Sequence, residues 1–197
     1  DRRQRQMCIR DRELQWPLIL FTTLLAWAAG LFAAQCVWAL RGKGARAQMP
    51  ALITSAVLLV VGGIAVFFHL EHWERIFNGF GNPTSGITQE LVCVVVVGAL
   101  MVVAFVVLRR AAGGDEAPAL PKWLAALMIA AAALLVLVTG HSYMMAARPA
   151  WDSPLGPLTL LGAACAAGPL TFAVIEAARG EAAGRAIALF SLIGSIA

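Results

Sequence analysis

Five apolar runs of about twenty residues each, parted by short polar stretches, leave this chain few ways to fold. They extend over residues 17–40, 50–70, 89–108, 123–146 and 158–178. In hydrocarbon a backbone must satisfy its own hydrogen bonds, which only helices and closed barrels achieve. The runs are continuous, whereas barrel strands alternate apolar and polar residues, so a barrel is excluded. Charged residues make up 13% of the chain, about half the share of a soluble domain. The fold expected is all-α: a polytopic transmembrane helix bundle with five complete spans. A sixth apolar segment starts near Ala186 and reaches Ala197. It is too short to cross, so the chain is expected to stop inside a sixth span.

The ends of the runs carry the punctuation that such helices need. Trp16 and Trp38 sit near the two ends of the first span, where indoles favour the membrane interface. Pro50 opens the second, and Gly62-Gly63 at its centre invites a neighbouring helix to approach closely. Thr88 is placed to cap the third span. Glu90 would then sit in its first turn, where a carboxylate meets the positive end of the helix dipole. The fourth span carries Thr139, His141, Ser142 and Tyr143 near its far end, and the fifth holds Gly162, Gly168 and Pro169. Of four cysteines, Cys36, Cys93 and Cys165 fall within spans without metal-ligand spacing, and they read as small apolar fillers.

Lysine and arginine counts orient the chain. Loops 41–50, 109–122 and 179–185 carry three, three and two, and the opposite loops 71–89 and 147–157 carry one each, Arg75 and Arg148. Eight against two places the first set in the cytoplasm. The net charge of +4 therefore reports orientation, and no nucleic-acid partner is expected. Residues 1–12, DRRQRQMCIRDR, add five arginines to the opposite side and blur this bias. They read as a non-native or disordered tail, with the transmembrane anchor domain occupying residues 13–197.

Polar chemistry gathers at one membrane edge. The segment VFFHLEHWERIFNGFGNPTSGITQEL, Val66 to Leu91, holds His69, His72, Glu71, Glu74, Glu90 and Arg75. Its EHWERIFN portion reads as a short interfacial helix, with Trp73, Ile76 and Phe77 toward lipid or protein. His141, Tyr143 and Arg148 reach the same edge from the next hairpin. Ionisable residues at membrane depth mark a cavity or a proton path. A histidine titrating near neutrality can take a proton from a buried ligand, and a carboxylate can pass it to water. This set suits oxidation of a lipid-soluble hydroquinone coupled to proton release.

The chain resembles the membrane-anchor subunit family of dimethyl sulfoxide reductase. The likeness rests on WPLILFT (Trp16–Thr22) and HLEHWERIFNGFGNPTSGITQE (His69–Glu90), with SYMMAARPAWDSPLGPL (Ser142–Leu158) and Gly168-Pro169-Leu170 in support. It covers residues 13–197. It implies an eight-helix subunit of the bacterial inner membrane, with five spans and part of a sixth present here. It implies menaquinol as an exchangeable substrate drawn from the quinone pool, no tightly bound cofactor, and a role in anaerobic respiration. Electrons would pass to an iron–sulfur subunit and then to a molybdopterin catalytic subunit. The family's quinol-site histidine corresponds to His69, and its acidic residue opening the next span to Glu90. Arg75, His141, Tyr143 and Arg148 are the further candidates for binding quinol. After His-Leu this chain has Glu71, His72 and Trp73, where many relatives have glycine and a proline-containing turn.

Two other readings compete. A haem b-binding quinol-oxidising cytochrome subunit would use His69 and His141 as axial ligands. A transporter or purely structural membrane protein would use the polar edge only as an interface, but transporters typically show internal repeats and helices broken near the midplane.

Overall fold

The computed structural model describes residues 16–68, 82–112, 120–144, 152–180 and 185–196, with only the backbone given for 185–188 and 190. Among the described residues six helices follow one another: α1 (Trp16–Leu40), α2 (Gln48–Phe67), α3 (Gly86–Ala111), α4 (Lys122–Ser142), α5 (Leu155–Ala178) and α6 (Arg185–Ile196). No strand occurs among the described residues. The first five are each long and apolar enough to cross a membrane. The all-α bundle expected from the sequence is therefore the fold found. The twelve residues of α6 extend the apolar pattern over the length expected. The tail 1–12, the segment carrying His69, His72 and Arg75, the interfacial helix expected within it, and Arg148 all lie outside the described residues.

α1 is the central helix. Buried residues such as Leu25, Ala28, Leu31, Phe32 and Cys36 occur all round it, as expected of a helix enclosed by others. It packs against α2, α4 and α5. The Cys36 thiol lies 3.8 Å from the Met128 sulfur of α4. Cys36 is the fully buried cysteine, while Cys93 and Cys165 are half-buried. The α1–α5 contact is the tightest. Gly30 faces the Ala164 backbone and Gly168 faces that of Gly30, so small residues spaced by four let two backbones touch. Lower down, the Trp27 indole donates to the Thr171 hydroxyl at 2.8 Å, and Trp38 packs its ring on Phe172.

The outward faces tell which solvent surrounds this bundle. Val57, Val60, Val95, Val102, Leu134 and Val174 are all half-exposed or more. Continuous apolar surface on this scale fits lipid contact. Trp16 and Trp123 stand exposed at span ends, where indoles sit best.

Helix ends follow local chemistry, with one correction. α1 stops where Gly42 and Gly44 adopt positive φ, which lets the Lys43 amide reach back to the Trp38 carbonyl. Gly62 meets Leu24 and the Phe21 carbonyl of α1, as its position suggested, whereas Gly63 faces open space. Thr88 is not the cap of α3. That helix begins at Gly86 with Ser85 at its N-cap position and without a side-chain cap bond. The three-residue earlier start follows from the turn after Pro83, where the Ser85 amide bonds the Asn82 carbonyl. Glu90 thus lies in the second turn, beyond the first-turn amides that a capping carboxylate would serve.

Candidate functional site

Two glycines bring three helix ends together. A Cβ on Gly86 would lie 2.9 Å from the Ser142 Cβ, so the start of α3 packs directly on the end of α4. A Cβ on Gly140 would lie 2.5 Å from the Pro157 Cα, which joins the end of α4 to the start of α5. One turn deeper than Gly86, on the same face of α3, comes Glu90. One turn deeper than Ser142, on the same face of α4, comes Thr139. Antiparallel packing therefore sets Glu90 against Thr139 and Ser142.

The result is a buried acid in a hydroxyl-lined corner. Glu90 is 6% exposed and Thr139 fully buried. The Thr139 and Ser142 hydroxyls lie within electrostatic reach of the Glu90 carboxyl. Ser142 Oγ donates to the Thr139 carbonyl at 2.8 Å. Strict hydrogen-bond geometry is nevertheless unmet at two atoms. Glu90 Oε1 and Thr139 Oγ1 have no partner among the described residues. Burying a carboxyl oxygen and a hydroxyl without full partners costs stability.

Tyr143, just beyond the last turn of α4, borders the same corner. Burial pushes its phenol above the usual value, and the Glu90 carboxylate nearby pushes it the same way. The phenol therefore stays protonated at neutral pH and offers an O–H donor. It lines a cavity of about 240 Å³ with Gly140, Met144, Ser153, Leu155, Gly156 and Pro157. A larger apolar groove, about 490 Å³, separates α2 from α3 and runs along Leu52, Val60, Gly98 and Phe105.

The structure thus joins Glu90 and Tyr143 but not His141. His141 is exposed, and two positions from Thr139 it falls on the opposite side of α4. His69, Arg75 and Arg148 are outside the described residues, although Phe68, immediately before His69, caps α2. Thr139 and Ser142 received no role from the sequence. Their three-residue spacing, which puts both hydroxyls on one helix face, was the available signal. The other deeply buried acid, Glu176, lies at the far end of the bundle under the turn at Gly44. That end is the basic one, with Arg41 stacked over Trp38 and Arg109 and Arg110 closing α3.

The chain matches the family described as DMSO reductase anchor subunit (DmsC) over residues 12–197. No curated protein and no solved structure matches it.

Proposed function

The chain belongs to the DMSO reductase anchor subunit family, and we propose that it binds menaquinol and oxidises it at the end of the bundle that carries Glu90. It is a multi-pass membrane protein of five long apolar helices. As an anchor it would hold an iron–sulfur subunit and a molybdopterin catalytic subunit at the bacterial inner membrane. The observation that carries the reading is Glu90, a buried carboxyl with an unpartnered oxygen at the edge of the membrane-spanning region. Oxidation converts the quinol to quinone and releases two protons and two electrons. The electrons go to the iron–sulfur subunit. The protons need acceptors that stand between hydrocarbon and water.

His69 and Glu90 fill that need by position. His69 directly follows the α2 cap, and Glu90 lies in the second turn of α3. The histidine takes a proton from one hydroxyl of the quinol, and the carboxylate receives one and passes it to water. The Tyr143 phenol, held protonated, donates a hydrogen bond to a quinone oxygen from its side of the corner. Arg75, His141 and Arg148 rest on their place along the same edge in the sequence. The basic residues at the opposite end of the bundle support a cytoplasmic location for that end, with the quinol corner on the outer face.

Glu90→Gln tests the reading. The amide keeps the shape of the side chain and removes its ability to take a proton. Membranes carrying the assembled complex are expected to lose about a hundredfold in quinol-driven turnover. Turnover driven by an artificial dye that feeds the iron–sulfur subunit directly should be unchanged. Normal quinol oxidation by Glu90→Gln would remove the carboxylate from the mechanism.

A further inference from the structure

Hydroxyls within these helices have a habit. Thr22, Thr54, Ser55, Thr159, Thr171 and Ser195 each donate to the carbonyl four residues back in their own helix. This is the standard way to hide a hydroxyl in an apolar setting. Thr139 and Ser191 depart from it, both buried without a bond of strict geometry among the described residues, and Thr139 does so beside a carboxyl. The Thr139 hydroxyl is fully buried and meets strict hydrogen-bond geometry neither with the Leu135 carbonyl nor with any other described residue. It lies instead beside the Glu90 carboxyl. For packing alone a valine would serve better here, since it has the same branched shape without a hydroxyl to desolvate.

We infer that Thr139 is a positioning residue for Glu90: its hydroxyl donates to the Glu90 carboxylate and turns the free carboxylate oxygen toward the incoming quinol proton. This rests on the proposed quinol reading and adds to it a residue that the resemblance did not supply. The step starts from Glu90 as the carboxylate, with the Thr139 O–H turned to it. When a quinol O–H bond breaks, its proton forms a new O–H bond on Glu90, and the electrons leave through the iron–sulfur subunit. The carboxyl, now neutral, is a weaker acceptor. The Thr139 hydroxyl then turns to the Leu135 carbonyl, the bond its counterparts make permanently. Loss of the proton to water at the membrane edge restores the first arrangement. Ser142 supports the corner from one turn further out by donating to the Thr139 carbonyl.

The test uses the assembled complex in membranes, with Thr139→Val, Thr139→Ser and Glu90→Gln side by side. Thr139→Val is expected to lower quinol-driven kcat at least about tenfold, the worth of one hydrogen bond to a charged group. Its amount in the membrane and its dye-driven turnover should stay at wild-type level. Thr139→Ser, which keeps the hydroxyl, should recover most of the lost kcat. In redox-induced infrared difference spectra, the carboxyl band that vanishes in Glu90→Gln should shift in Thr139→Val and return to place in Thr139→Ser. If Glu90→Gln is impaired while Thr139→Val oxidises quinol normally, the inference about Thr139 fails and the quinol reading stands. Equal losses in the valine and serine variants, or a fall in membrane content or dye-driven turnover, would show a packing role and overturn it. Normal quinol oxidation by Glu90→Gln itself would sink the quinol reading first.

Discussion

Gly168→Leu is expected to prevent the bundle from assembling, so that little folded protein accumulates in the membrane. The reason is the contact between α1 and α5. A Cβ at Gly168 would run into the Gly30 backbone and come within 2.5 Å of the Leu31 amide nitrogen. Backbone atoms cannot swing aside as a side-chain tip can, so the two helices must separate. Separation would also break the Trp27–Thr171 hydrogen bond and pull Trp38 from Phe172. Several contacts fail together, which puts the loss above the ~1–3 kcal/mol typical of one overpacked position. Gly63→Ala is the control. It lies in a span of the same kind but has nothing within 4 Å of an added Cβ. There the better helix propensity of alanine, about 1 kcal/mol, should leave stability unchanged or raise it. Membrane content and thermal stability in detergent check both variants.

That contrast also shows what a one-dimensional reading reaches. The five spans were legible because twenty apolar residues in a row have one stable arrangement in lipid. Of the Gly62-Gly63 pair, only Gly62 meets another helix among the described residues, and the choice between them depends on the direction from which α1 approaches. Glu90 stood out as an acid beside an apolar run. Its partners did not, because Thr139 and Ser142 come from another helix about fifty positions along the chain. The grouping of His141 with Glu90 was based on depth in the membrane. Depth alone ignores the helical period, which turns residue 141 about 200° from residue 139. The start of α3 was misplaced because Thr88 is a good capping residue, yet the turn after Pro83 begins the helix earlier.

His69→Ala is expected to abolish menaquinol-driven reduction while the complex stays bound to the membrane. An imidazole titrates near neutrality, so it can accept a quinol proton and release it within one turnover. A methyl group in its place offers no acceptor, and loss of general-base catalysis costs about a hundredfold or more. His69 begins the segment that leads from the α2 cap at Phe68 toward α3. There a head group can meet water while its isoprenoid tail stays in lipid. A purely structural histidine would behave differently, since loss of its buried hydrogen bond costs ~1–3 kcal/mol of stability and would lower assembly. Comparing membrane content, dye-driven turnover and quinol-driven turnover separates the two roles. The first two should match wild type and the third should fall to background.

The proposed quinol site lies at the end of the bundle where α3 begins and α4 ends. A photoreactive menaquinone analogue, bound to the assembled complex and then illuminated, tests it without any mutation. Mass spectrometry of the digested anchor should find the label on peptides carrying Glu90 or Tyr143, and excess menaquinol should suppress it. Label confined to the opposite end, on peptides around Gly44, Arg109 or Arg179, would contradict the account.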